Sequence, residues 1–104
     1  MSVVVVTAVF HPVPGRRSAL IDALRASIPA VHQEEGCRLY AIHEAEDGTI
    51  TMIEKWDSRE ALAAHAAGTA VTALQAAVAG LVTGPTTVTT MDPLPAGTPE
   101  QGEL

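Results

Sequence analysis

Val3-Val4-Val5-Val6-Thr7-Ala8-Val9-Phe10 is a continuous apolar, largely β-branched run. A half-solvated strand alternates apolar and polar residues, so a run without alternation marks a strand buried on both faces. The flanking sequence decides what covers those two faces. Pro12 and Pro14 end the run, and Gly15 permits a turn. From about 14 to 32, Leu20, Ile21, Leu24, Ile28 and Val31 recur at helical spacing, with Arg16, Arg17, Asp22 and Arg25 off that stripe. Pro14 suits the first helical turn, where its missing N–H costs nothing. Pro29 is expected to kink or end the helix near Ile28. Glu34-Glu35-Gly36 then closes it, with Gly36 as the turn residue.

Residues 38–45 and 50–57 read as two strands. Asp47-Gly48 between them is a strong short hairpin signal. Ser58 stands as an N-cap ahead of Arg59-Glu60-Ala61-Leu62, opening a short helix that Gly68 interrupts. A further helix is expected from about 69 to 82, a turn at Thr83-Gly84-Pro85, and a last strand over 86–91. Residues 92–104 hold Pro93, Pro95, Pro99, Gly97 and Gly102, the composition of a flexible tail. Residues 1–91 are left as the domain, and no internal repeat occurs.

The order β-α-β-β-α-β, with its second helix broken in two, predicts an α+β fold of the ferredoxin-like, split-βαβ kind. An antiparallel sheet carries its helices on one face. A domain this small buries only about 60–65% of its surface. Because 3–10 is apolar on both sides, the helix-free face needs a cover, and a second copy of the same sheet is the simplest one. A homodimer is expected.

Composition excludes several partners. The 104 residues suit one domain, and 47% hydrophobic residues suffice for a core. Six Lys+Arg against twelve Asp+Glu give a net charge of −6, which opposes binding to nucleic acid or to an anionic membrane surface. Aromatics are 3%, namely Phe10, Tyr40 and Trp56, too few for base-stacking platforms. Cys37 is the single cysteine and no cationic, apolar leader opens the chain, so a reduced, cytoplasmic compartment is expected. No Asp, Glu, Lys or Arg occurs between Glu60 and Asp92, and 61–82 is long enough to span a bilayer. Yet Ala dominates it, and Val71, Leu74, Val78 and Leu81 form one stripe of an ordinary amphipathic helix. A membrane span is rejected.

The combination Pro14-Gly15, Glu34-Glu35-Gly36-Cys37-x-x-Tyr40, His43 and Glu54-x-Trp56-x-Ser58-x-Glu60-Ala61-Leu62-x-x-His65 resembles the antibiotic biosynthesis monooxygenase superfamily over about residues 3–91. The resemblance implies a dimeric α+β barrel, a pocket in each protomer between sheet and helices, and cofactor-independent oxygenation of quinols or anthrones. Haem-degrading relatives carry an Asn on the first strand and a His on the last helix; here 3–10 has no Asn and no His follows His65. Another branch isomerises a phosphorylated autoinducer sugar. A phosphate ester calls for convergent cations, and only Arg38 and Lys55 lie on the strands.

His65 is the leading candidate base. The resemblance implies that its position points into the pocket, and a neutral imidazole suits removal of a phenolic proton. The competing role is a packing or capping histidine beside Gly68. Glu54 and Trp56, at i and i+2 on one strand, share a face. Trp56 offers a flat wall to an aromatic substrate, and Glu54 a group to orient His65 or accept a proton; both also suit a plain core. Tyr40 and His43 differ by an odd number and face opposite sides, so only one serves a given pocket. Of the two, His43 carries the more useful chemistry as a catalytic helper, and Tyr40 is a substrate-contacting candidate. His11 and His32 are expected to face solvent. His43, His65 and Glu54 make a conceivable two-His, one-carboxylate metal set, but no local ligand spacing supports it. Cys37 beside two carboxylates is a poor nucleophile. No phosphate loop, dinucleotide fingerprint or nucleophile elbow occurs, so neither metal nor cofactor is expected.

The reading is a cofactor-independent monooxygenase that takes a small hydroquinone- or anthrone-like aromatic and O2. The alternatives are an isomerase of a small (phospho)carbonyl compound of the autoinducer-2-processing type and a non-catalytic dimeric module binding a small ligand.

Overall fold

The computed structural model describes residues 2–104. Strand β1 (Val4–Phe10) leads to helix α1 (Arg17–His32), the hairpin β2 (Cys37–Glu44) and β3 (Ile50–Trp56), helices α2 (Arg59–Ala66) and α3 (Thr69–Val78), and strand β4 (Thr87–Met91). The sheet runs β2-β3-β1-β4 with every pairing antiparallel. This is the expected ferredoxin-like α+β arrangement.

Alternation along the central strands sets the two faces. Val4, Val6, Ala8 and Phe10 of β1, with Ile50, Met52, Glu54 and Trp56 of β3, are buried. They pack with Leu20, Leu24 and Val31 of α1 and Leu74 and Val78 of α3 into one core. Val5, Thr7 and Val9 point the other way and are half-buried in the single chain. By register, Leu39, Ala41, Ile53 and Met91 share this helix-free face.

Local signals act as their chemistry dictates. Ser58 Oγ accepts from Ala61 N–H at 3.1 Å and caps α2. Asp47 accepts from Thr49 N–H at 2.9 Å in the β2–β3 turn, where Gly48 takes φ +90°. Thr49 Oγ1 also donates to Asp47, at 2.6 Å, and the side-chain and backbone bonds together hold the Asp47 carboxyl below the ordinary range.

Three helix boundaries differ from expectation. Helix α1 starts at Arg17 rather than near Pro14, because Arg16 N–H bonds to Val13 C=O at 2.8 Å and makes 13–16 a separate turn. It also runs past Pro29 to His32. Pro29 lies in the final turn, where one missing N–H removes one ladder bond and little helix remains to be lost. Helix α3 stops at Val78, before the positive-φ Gly80, rather than at 82. Helices α2 and α3 bend by 53° at Gly68, and no single helix among the described residues is long and apolar enough to cross a membrane.

Residues 92–104 contain neither helix nor strand. Asp92 pairs with Arg59 at 2.8 Å, and Lys55 Nζ donates to the Leu104 carbonyl.

Candidate functional site

Buried polar groups are scarce in this core. Glu54, Ser58 and His65 are the buried polar residues, and Ser58 is the α2 cap. The other two meet around Trp56. Alternation on β3 turns Glu54 and Trp56 inward together, and Trp56 Nε1 donates to Glu54 Oε1 at 3.0 Å. His65, in the last turn of α2, lays its ring against the indole with centroids 4.6 Å apart and 31° between the planes. Tyr40 closes the group edge-on, 5.4 Å from His65 and 6.4 Å from Trp56.

A β-bulge positions Tyr40. The β2–β3 register shifts between Cys37 and Leu39, so Arg38 is the extra residue. Cys37 opposes Trp56 and Tyr40 opposes Glu54, which puts both on the helix-covered face despite their odd separation. No bulge lies between Tyr40 and His43, and His43 is exposed on the helix-free face, with Nδ1 3.4 Å from the Thr51 carbonyl. The structure therefore does not bring His43 to His65. A whole sheet separates it from His65, and Tyr40 is the one of the pair inside. The conceived His43, His65, Glu54 set is likewise not assembled.

Glu54 was expected to orient His65 or to accept a proton; the hydrogen bond it makes goes to Trp56. The carboxylate on His65 is Glu34, with Oε1 2.6 Å from Nδ1. Glu34 follows α1 in the turn closed by Gly36, whose φ is +84° and whose carbonyl accepts from Asp57 N–H at 2.8 Å. A Cβ on Gly36 would lie 2.6 Å from Ala61 Cβ, so only glycine lets this turn press against α2. The Glu-Glu-Gly signal was visible in sequence as a helix terminator; that it delivers a carboxylate to α2 depends on tertiary contact.

Burial governs the electrostatics. Loss of water raises the Glu54 carboxyl above its ordinary range, partly offset by the Trp56 hydrogen bond and the His65 charge. Tyr40 is also raised, first by burial and then by Glu54 and Glu34. The Cys37 thiol is raised by burial and by the same two carboxylates, which leaves it a poor nucleophile. His32, expected to face solvent, is exposed and sits 3.0 Å from the Tyr40 carbonyl through Nε2.

The cluster is tightly packed. Five surface clefts among the described residues are lined by other side chains than His65, Glu54 and Trp56. A cleft of about 250 Å³ along β2 reaches Tyr40 beside His32 and Cys37. Another, of about 370 Å³, runs between Gly36 and Ala61–Ala64 of α2. Among the described residues, no group of three His, Cys, Asp or Glu is placed to hold a metal ion.

Comparison with known proteins agrees with this architecture. The chain is 39% identical over 94 residues to the "Putative monooxygenase Rv0793" of Mycobacterium tuberculosis, covering 89% of this chain and 93% of that protein. The solved Rv0793 structure superposes with a TM-score of 0.83 at 38% identity, over 93% of this chain and 100% of that one. Protein SO0527 of Shewanella oneidensis gives 0.79 at 29% identity, over 88% and 90% of the two chains. A Caulobacter crescentus structure shares the fold at 0.80 and 21% identity, over 89% and 91%. The model of the family "Antibiotic biosynthesis monooxygenase" matches residues 3–77, which include β1, the β2–β3 hairpin and every member of the buried cluster. The chain belongs to the antibiotic biosynthesis monooxygenase family.

Proposed function

We propose that this protein is a cofactor-independent monooxygenase that oxidises a small, electron-rich aromatic, a hydroquinone or anthrone, with O2. One observation carries the reading: a buried imidazole lies on the face of a buried indole, with a phenol ring at its edge. Once the cluster opens, a flat aromatic can lie against these rings with a proton acceptor beside it. The family membership and the printed name of the Mycobacterium tuberculosis relative support the reaction class.

In this reading His65 Nε2 takes a phenolic proton, and a ring carbon of the resulting anion forms a bond to O2. The imidazolium returns its proton to the peroxide. The O–O bond then breaks as the ring C–H proton leaves, giving a carbonyl and water. One oxygen atom stays on the substrate, the other departs as water, and all the electrons come from the substrate. Trp56 and Tyr40 are the walls, and Glu54 fixes the indole through Nε1. Exclusion of water protects the peroxide. The cluster must open to admit the substrate, since His65 is only 6% exposed.

A second copy of the chain covers the helix-free face in the same reading, because Val5, Val9, Ile53 and Leu39 gather there without helices over them. Isomerisation of a phosphorylated carbonyl compound is disfavoured: Arg38 is paired with Asp57 and Lys55 bonds the Leu104 carbonyl, so neither stands free beside His65.

Oxygen uptake with a hydroquinone or anthrone under air tests the proposal. Wild type should consume O2 well above buffer, and His65→Ala should lose about a hundred-fold or more in turnover, the usual contribution of a positioned base. No uptake with either substrate class, or full turnover in His65→Ala, overturns it. Binding without turnover would assign the chain to the binding-module class.

A further inference from the structure

We infer that Glu34 is the positioning residue of His65: seated against Gly68, it holds the imidazole as the Nδ1–H tautomer and leaves the Nε2 lone pair to act. The inference rests on the reading of His65 as the base, and it deepens that reading by naming what aims the ring.

Three features of the geometry converge. Glu34 Oε1 lies 2.6 Å from His65 Nδ1, and the two side chains are 22% and 6% exposed. An ionised carboxylate only accepts hydrogen bonds, so Nδ1 must be the donor. In a neutral ring the acceptor is then Nε2, which has no hydrogen-bond partner among the described residues. Trp56 on one side of the ring and Tyr40 at its edge favour this orientation.

The second carboxylate oxygen is placed by a missing side chain. A Cβ on Gly68 would lie 3.3 Å from Glu34 Oε2, 3.2 Å from the Ala64 carbonyl and 3.3 Å from the His65 carbonyl. Gly68 is the N-cap of α3 and has no side chain to cap with, so the Glu34 carboxylate stands at the positive end of that helix. The break between α2 and α3 therefore does two things: it ends α2 one residue after His65, and it opens the space in which the carboxylate sits. The partner of Nδ1 is Glu34, whereas the Glu54 hydrogen bond goes to Trp56.

The test is nitrogen NMR of ring-labelled histidine at a pH where the imidazole is neutral, with His65 assigned by the signals that vanish in His65→Ala. It needs no substrate. Wild type should show a protonated Nδ1 and a bare Nε2. Glu34→Leu should return the ring toward the Nε2–H tautomer that imidazoles favour in water. Gly68→Ala, which crowds the carboxylate from the opposite side, should shift the populations in the same direction. A wild-type ring already in the Nε2–H form overturns the inference even if neither variant folds. So does a folded Glu34→Leu with an unchanged tautomer. Where a hydroquinone is turned over, Glu34→Leu should lower kcat by about ten-fold or more with KM little changed. A Glu34-dependent Nδ1–H tautomer in a protein that oxidises no hydroquinone or anthrone would leave the positioning role standing and remove the oxygenase reading. Turnover together with a Glu34-independent tautomer would do the reverse.

Discussion

Trp56 Nε1 donates to Glu54 Oε1 at 3.0 Å, two residues back along the same face of β3, with Glu54 5% and Trp56 0% exposed. A carboxylate in a core is costly unless its charge meets donors. Here one indole N–H, with His65 close by, is what Glu54 gains for leaving water. The bond in turn fixes the plane of the indole on which His65 rests. The site is built from the strand outward: pleat, then carboxylate, then indole, then imidazole.

Stability should therefore respond to pH through Glu54. Its folded-state carboxyl is raised above 4.5 by burial, so the folded protein holds that proton more tightly than the unfolded chain. The contribution is fully present below 4.5 and is lost as pH rises through the higher folded value. Glu54→Gln keeps an acceptor for Trp56 and cannot ionise. Whatever constant offset the amide adds, the melting temperature of Glu54→Gln relative to wild type should climb from acid to neutral pH. Thermal melts across that range check it, and a difference that stays flat or falls would refute the burial argument.

Gly36 makes a sharper case. Its φ of +84° strains any residue with a Cβ, and that Cβ would meet Ala61 at 2.6 Å. Gly36→Ala should cost about 2–4 kcal/mol, the sum of left-handed strain and overpacking. Denaturant unfolding measures it, and wild-type stability in the variant would show that the turn does not press on α2.

These two residues show how far sequence reasoning reached. The unbroken run at 3–10, the Asp47-Gly48 turn and the Ser58 cap are local signals, and the elements they imply are present. That Glu54 and Trp56 share a face follows from strand period alone; that this face is the inner one does not. What escaped was non-local or subtle. Glu34 and His65 lie 31 residues apart, and nothing in either segment announces that the end of α1 meets α2. The bulge at Arg38 has no Gly or Pro to mark it, yet it decides which residues of β2 share a face with Tyr40. Pro29 misled because its cost depends on how much helix follows, which periodicity cannot measure.

Dimerisation should separate two neighbouring valines. Val6 is 2% exposed beneath the helices, so Val6→Asp should cost about 3–5 kcal/mol in any oligomeric state. Val5 lies on the helix-free face and is half-buried in the single chain. If a second copy covers that face, Val5→Asp should dissociate the protein as well as destabilise it. Sedimentation at micromolar concentration checks both. A wild type that sediments as a folded monomer, or a Val5→Asp variant that dimerises and melts normally, would count against the covered face.

The Trp56–Glu54 bond can be weighed by a double-mutant cycle. Trp56→Phe leaves a ring against His65 but removes the donor, so at neutral pH the cost is a smaller core side chain plus a buried carboxylate without its hydrogen bond. Together these should reach about 2–4 kcal/mol. In a Glu54→Leu background no carboxylate remains to be orphaned, and only the packing loss should persist. The two costs of Trp56→Phe should thus differ by about 1–2 kcal/mol, within the range expected for residues that share a bond. Unfolding must be compared at equal protomer concentration, since any dimer stabilises by mass action. Equal costs in both backgrounds would mean that the indole is held by packing alone and that Glu54 is not what orients it.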